Sequence, residues 1–220
     1  MTNEPYVVCL YGSRARGDHD AASDTDLLLV GDVPFEKAHL DNSHEPCHRS
    51  LYSWRDIERM TRYGSLFLHH VKAEGRPIQW SVGGRERLAS CLKTLPAYSL
   101  ADRDIDAFRQ TIADVRESLE ASGCLVFELS ILGMVLRHAA ILGCYLTGHP
   151  TFGREASFRV LAQSLGLPES WCPRALTLYA HRRTDRREIA LRHSEWVASP
   201  AMACSFVLET VELIAQLRGM

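Results

Sequence analysis

The 220-residue chain has no paired cysteines: Cys9, Cys47, Cys91, Cys124, Cys144, Cys172 and Cys204 are scattered, and none forms a CxxC. That spacing offers neither a disulfide frame nor a zinc site, and predicts buried or incidental thiols in a reducing compartment. Charge of one sign is lacking too. The formal net charge is −2, so no global basic field demands nucleic acid. Repeats and low-complexity segments are missing. So is an uninterrupted apolar run of membrane length: the longest, residues 125–146, is broken by Glu128, Arg137 and His138 and reads as a core helix. Asn3, Glu4 and Pro5 precede the first apolar run, which is not the pattern of a signal peptide. These absences predict a cytoplasmic protein with no membrane partner. Apolar content of 46% and charged content of 24% are ordinary for a globular chain whose length allows one large or two small domains.

What is present concentrates in residues 7–32, VVCLYGSRARGDHDAASDTDLLLVGD. An apolar run ends at Gly12-Ser13, an Arg-rich turn follows, and a second apolar run begins with Asp24 and Asp26. Residues two apart on a strand share a face, so this spacing predicts two neighbouring carboxylates. Such a pair is costly unless a cation sits with it. A hard divalent ion such as magnesium takes carboxylate oxygens and leaves positions for phosphate. Gly12 carries no side chain to block a phosphate. Ser13 offers a hydroxyl and is a good N-cap for a short helix whose free N–H groups would face an anion. Arg14 and Arg16 follow in its first turn, and Arg16 is the preferred phosphate partner. The pattern predicts a nucleoside triphosphate site with Gly12, Ser13 and Arg16 on phosphate and Asp24 and Asp26 on metal.

Gly12-Ser13, ten intervening residues and then Asp24-Thr25-Asp26 in an apolar strand resembles the signature of the DNA polymerase β-type nucleotidyltransferase superfamily. The fuller wording, GSRARG then SDTDLLLV, is similar to its minimal bacterial and aminoglycoside nucleotidyltransferases. The resemblance implies transfer of a nucleoside monophosphate, with ATP as default donor, to an acceptor hydroxyl with release of pyrophosphate. It implies Mg2+ on Asp24 and Asp26, with a two-metal site left open. A protein, an RNA end and a small molecule all stay open as acceptor, as does a homo-oligomer. In the family a third acid, a metal ligand or the base for the acceptor, stands four residues before a tyrosine equivalent to Tyr52. Here that position is His48. His48 is a candidate base or a bystander, and Asp41 or Glu45 are alternative sources of the acid. Without that acid, the other reading is a catalytically weakened nucleotide-binding or toxin–antitoxin-type interaction module.

The remaining pattern predicts an α+β fold: a domain with a small mixed sheet over residues 1–83, which the resemblance makes the nucleotidyltransferase domain, then an all-α bundle over 84–220, for which resemblance implies substrate or nucleotide binding. Residues 35–40 read as a short helix. Ser53 and Asp56 form a capping box, Gly64 and Gly75 stop two helices, and RPIQW at 76–80 is an edge strand because of Pro77. His69 and His70 point in different directions on a helix and read as structural. Ser81–Gly84 is the expected boundary. Ser99 and Asp102 are expected to cap a helix over 103–120, followed by helices at 124–146, 156–165, 173–183 and 201–217. The bundle loosely resembles helical domains found beside minimal nucleotidyltransferases, some of which are ribonucleases with a spaced arginine and histidine, here Arg187 and His193. The cluster Arg182, Arg183, Arg186, Arg187 and Arg192 reads equally as a solvated helix end or as a grip on an anion.

Overall fold

The computed structural model describes residues 4–19, 23–33, 47–182 and 195–219. The helix expected at 35–40, Asp41, Glu45, and the cluster from Arg183 through His193 lie outside the described residues. The fold is α+β, with one four-stranded sheet and ten α-helices among the described residues. The chain forms two compact units, Met1–Ser99 and Leu100–Met220.

In the first unit, β1 (Val7–Tyr11), β2 (Thr25–Val30), β3 (Cys47–Tyr52) and β4 (Arg76–Trp80) form a mixed sheet in the order β3-β2-β1-β4. β1 is antiparallel to β2 and β4, and β2 is parallel to β3. Pro77 is tolerated on β4 because that strand has one neighbour, and the ladder with β1 shifts register between Val8 and Cys9. The strands alternate strictly. Val7, Cys9, Tyr11, Leu28 and Val30 pack with Trp54, Ile57, Met60, Leu68 and Val71, while Val8, Leu27 and Leu29 form a smaller cluster with Tyr6. The first face is covered by α2 (Trp54–Arg62) and α3 (Leu66–Glu74). α1 (Gly12–Arg16) follows β1 directly.

The capping box at α2 forms as the sequence predicts. The Asp56 amide donates to Ser53 Oγ at 3.2 Å, and the Asp56 carboxylate accepts from the Ser53 amide at 3.2 Å. Gly64 ends the helix at φ +65°, and a β-carbon there would meet the Pro96 and Ala97 carbonyls. That close approach bears on the boundary. The sequence put it at Ser81–Gly84, whereas the first compact unit runs on to Ser99. α4 (Gly84–Lys93) contributes Leu88 to the sheet's core, Leu95 joins it, and Ser99 bonds to the Tyr63 carbonyl through both its amide and its hydroxyl. Ser99 is therefore not a helix cap: α5 (Ala101–Glu120) starts after Leu100, without a side-chain cap bond.

The second unit is a helical bundle around α6 (Leu125–Leu146). α5, α7 (Ala156–Leu165), α8 (Trp171–Ala180) and α10 (Pro200–Gln216) all pack on it, and α9 (Glu195–Ala198) leads into α10. By length and composition alone α6 could cross a membrane, yet 56% of its most apolar window is buried within the protein. Its one buried carboxylate, Glu128, accepts a 2.6 Å bond from Ser118, as a polar group in a core requires. Gly133 lets α8 approach: a β-carbon there would stand 2.9 Å from the Leu178 carbonyl. The cysteines are free, as predicted from their spacing. Burial pushes Cys9 to about 12 and Cys144 to about 11, which makes them core groups rather than nucleophiles.

Removing the capping hydroxyl tests how far α2 depends on it. Ser53→Ala is expected to cost about 1 kcal/mol, read as a shift in the denaturant midpoint at constant m-value.

Candidate active site

The site grows from the junction of β1 and β2. Tyr11, the last residue of β1, is the register partner of Asp26, and the chain turns straight from Tyr11 into α1. Gly12 makes that turn at φ +74°, and its missing β-carbon would lie 2.5 Å from Asp26 Oδ2. Only glycine satisfies both demands: the left-handed backbone and the contact with the carboxylate. Ser13 lies inside α1, not at its cap. Tyr11 holds the N-cap position, with no side-chain cap bond.

Across the other edge of β2 the parallel ladder pairs Asp26 with His48. Nδ1 of His48 stands 3.8 Å from Asp26 Oδ1, with the side chains 67% and 32% exposed. The position that the resemblance assigns to a third acid is thus beside Asp26, and the residue there is a solvent-accessible imidazole. Asp24 is exposed and sits one residue ahead of β2. The approach to it is fixed by Arg14, whose Nη2 donates to the Ser23 carbonyl at 3.3 Å. The structure therefore brings Gly12, Asp26 and His48 together directly, with Asp24 at the mouth of the same strand.

The floor is built by Tyr11. Its hydroxyl is 3.1 Å from Ser50 Oγ on β3, and its ring meets Phe67 and His70 edge-on. Burial raises the phenol's pKa, and Asp26 adds to this against the Ser50 bond; the group stays a neutral hydrogen-bonding residue. The histidines on α3 have partners of their own. His69 Nε2 is 3.1 Å from the Pro96 carbonyl, and His70 Nε2 is 2.7 Å from Glu74 Oε2. Both are structural, as their adjacent positions predict.

Arg16 is where the geometry adds most. Its Nε donates to Asp18 and its Nη1 to Glu74 Oε2 at 2.5 Å. Burial pulls the guanidinium pKa down, but the bonds to Asp18 and Glu74 outweigh it, so Arg16 lies above its ordinary range. Nothing in the local sequence pairs Arg16 with Glu74. The only hint was a glutamate closing a helix just before Gly75.

Among the described residues no three His, Cys, Asp or Glu side chains gather as a metal cage. The donor set still fits a hard divalent ion that completes its shell with phosphate oxygens. Asp24 is an exposed and Asp26 a half-buried oxygen donor, and Gly12 brings no β-carbon against Asp26 Oδ2. A separate pocket of about 260 Å³, lined by Leu29, Gly31, Asp32, Leu51, Tyr52 and Ser53 among others, includes neither aspartate of this pair.

Residues 2–68 match the family model for a nucleotidyltransferase domain. The match runs from before β1 into the start of α3 and is consistent with the DNA polymerase β-type superfamily. No curated protein matches the chain.

Gly12→Ala places a methyl group against Asp26 at positive φ. The expected loss is about 1–3 kcal/mol of stability, measured by chemical unfolding. Weakened binding of a nucleoside triphosphate should accompany it in the fraction that folds.

Proposed function

Proceeding from a nucleotidyltransferase domain at residues 2–68, we propose that the chain transfers a nucleoside monophosphate from a nucleoside triphosphate, ATP by default, to an acceptor hydroxyl. The observation that carries this reading is the contact of Gly12 with the Asp26 carboxylate. It leaves an anion seat without a side chain directly beside a metal-binding acid.

In the proposed reaction the acceptor oxygen forms a bond to the α-phosphorus as the bond to the β-phosphate bridging oxygen breaks. Pyrophosphate leaves, and the acceptor's proton is released. Gly12 and Ser13 seat the β- and γ-phosphates, and Arg16 contributes positive charge to them. Asp24 and Asp26 would hold magnesium, which would neutralise phosphate charge and lower the acceptor's pKa. His48 receives the acceptor's proton at a ring nitrogen, which in neutral imidazole carries an accepting lone pair. An imidazole in place of a carboxylate supplies no hard oxygen, so the donor set favours one magnesium ion over two.

The same feature supports a second reading. With His48 where an acid is expected, the domain would bind a triphosphate and act as a sensor or toxin–antitoxin-type partner without transferring it.

Asp24→Asn with Asp26→Asn should leave the fold near intact and reduce transfer below about one per cent of the parent. Higher residual activity argues against the mechanism. His48→Ala should lower turnover by about 10²-fold or more while triphosphate binding is kept. With ATP labelled at the α-phosphate, label on an acceptor in lysate supports transfer, and label that stays on free nucleotide supports the sensor.

A further inference from the structure

Arg16 closes α1, one helical turn beyond Gly12 and on the same side of the helix. Its guanidinium is held by two carboxylates that differ in kind. Glu74 is part of the wall: its side chain is 11% exposed and is shared with His70, itself 15% exposed, at 2.7 Å. The His70 ring stands edge-on to Tyr11 at 5.4 Å, so the brace reaches the residue that precedes the anion seat. Asp18 is 58% exposed, lies two residues past Arg16 beyond the turn at Gly17, and accepts from Nε with both oxygens, at 3.2 and 3.1 Å.

A guanidinium presents the same fork to a carboxylate and to a phosphate. A pair with an exposed carboxylate is held weakly, whereas breaking one shielded from solvent is costly. The two anions on Arg16 therefore have different fates when a stronger anion arrives.

We propose that Glu74, braced by His70, is a positioning residue that fixes Arg16 at the phosphate seat, and that Asp18 occupies the edge of Arg16 which a substrate triphosphate takes on binding. Asp18 is then an internal competitor. It keeps Arg16 paired in the free protein and swings into solvent when the nucleotide binds. The assignment rests on the transferase reading above for the identity of the ligand.

The test is equilibrium binding of a non-hydrolysable nucleoside triphosphate with magnesium to the full chain, alongside the melting temperature. Asp18→Asn should tighten binding by about two- to fivefold. Glu74→Gln should weaken it by at least about tenfold. The charge swap Arg16→Glu with Glu74→Arg should regain much of the melting temperature lost by Glu74→Arg alone but not triphosphate binding. Unchanged or weaker binding in Asp18→Asn overturns the proposal, and since Asp18 is exposed this arm stands even if the Glu74 variants do not fold. A swap that restores binding together with stability also overturns it, because the pair would then be a brace alone. If the parent chain itself binds no triphosphate, the transferase reading fails and this assignment with it. If the parent binds and Asp18→Asn changes nothing, only this assignment fails.

Discussion

A glycine and a carboxylate in van der Waals contact set the terms for the rest of the site. The chain leaves β1 at Tyr11 and must bend at once, because its antiparallel neighbour β2 brings Asp26 directly alongside. Gly12 makes the bend at φ +74°, with the Asp26 carboxylate in the space a β-carbon would fill. Any other residue would strain the backbone and push Asp26 aside at the same time. The turn, the start of α1 and the exposure of a carboxylate at the end of a buried strand are therefore one constraint seen from three sides.

The cations around this contact also hold backbone and helices in place. Arg14 grips the Ser23 carbonyl just ahead of Asp24. Arg16 ties α1 to α3 through Glu74, and His70 extends that tie to Tyr11. In the transferase reading, donors already in position leave less to order when a highly charged ligand arrives. The arrangement also explains why so small a helix keeps a defined orientation. Five residues cannot hold a helix by their own hydrogen bonds, and here anchors at both ends replace the missing turns.

Local features of the sequence were legible because their causes are local. Strands β1 and β2 show as apolar runs, Ser53 and Asp56 announce their capping box, and Ala156 to Leu165 is bounded by its own glycine signal. The acid pair and the glycine were readable as a motif. What could not be read depends on distant partners. Arg16 and Glu74 are 58 residues apart and His48 meets Asp26 only through a parallel ladder, so an arginine that looks like a free phosphate ligand proves to be already paired. The first compact unit extends past the expected boundary for a similar reason. Ser81–Gly84 has the composition of a linker, yet the helix after it carries Leu88 into the sheet's core, and Ser99, a cap by composition, is drawn to Tyr63 instead.

The parallel pairing of β2 and β3 gives residue 48 its importance independently of what stands there. The ladder fixes the backbone of that position beside Asp26, so its side chain changes the chemistry of the site without changing its shape. A carboxylate would add a second negative charge next to Asp26 and an oxygen ligand for a hard cation. An imidazole adds neither. It sets a ring nitrogen, Nδ1, 3.8 Å from Asp26 Oδ1 where a carboxylate would set a second anionic oxygen. In the reading proposed above, this one register position bears on the handling of the acceptor's proton because the ladder sets it beside Asp26.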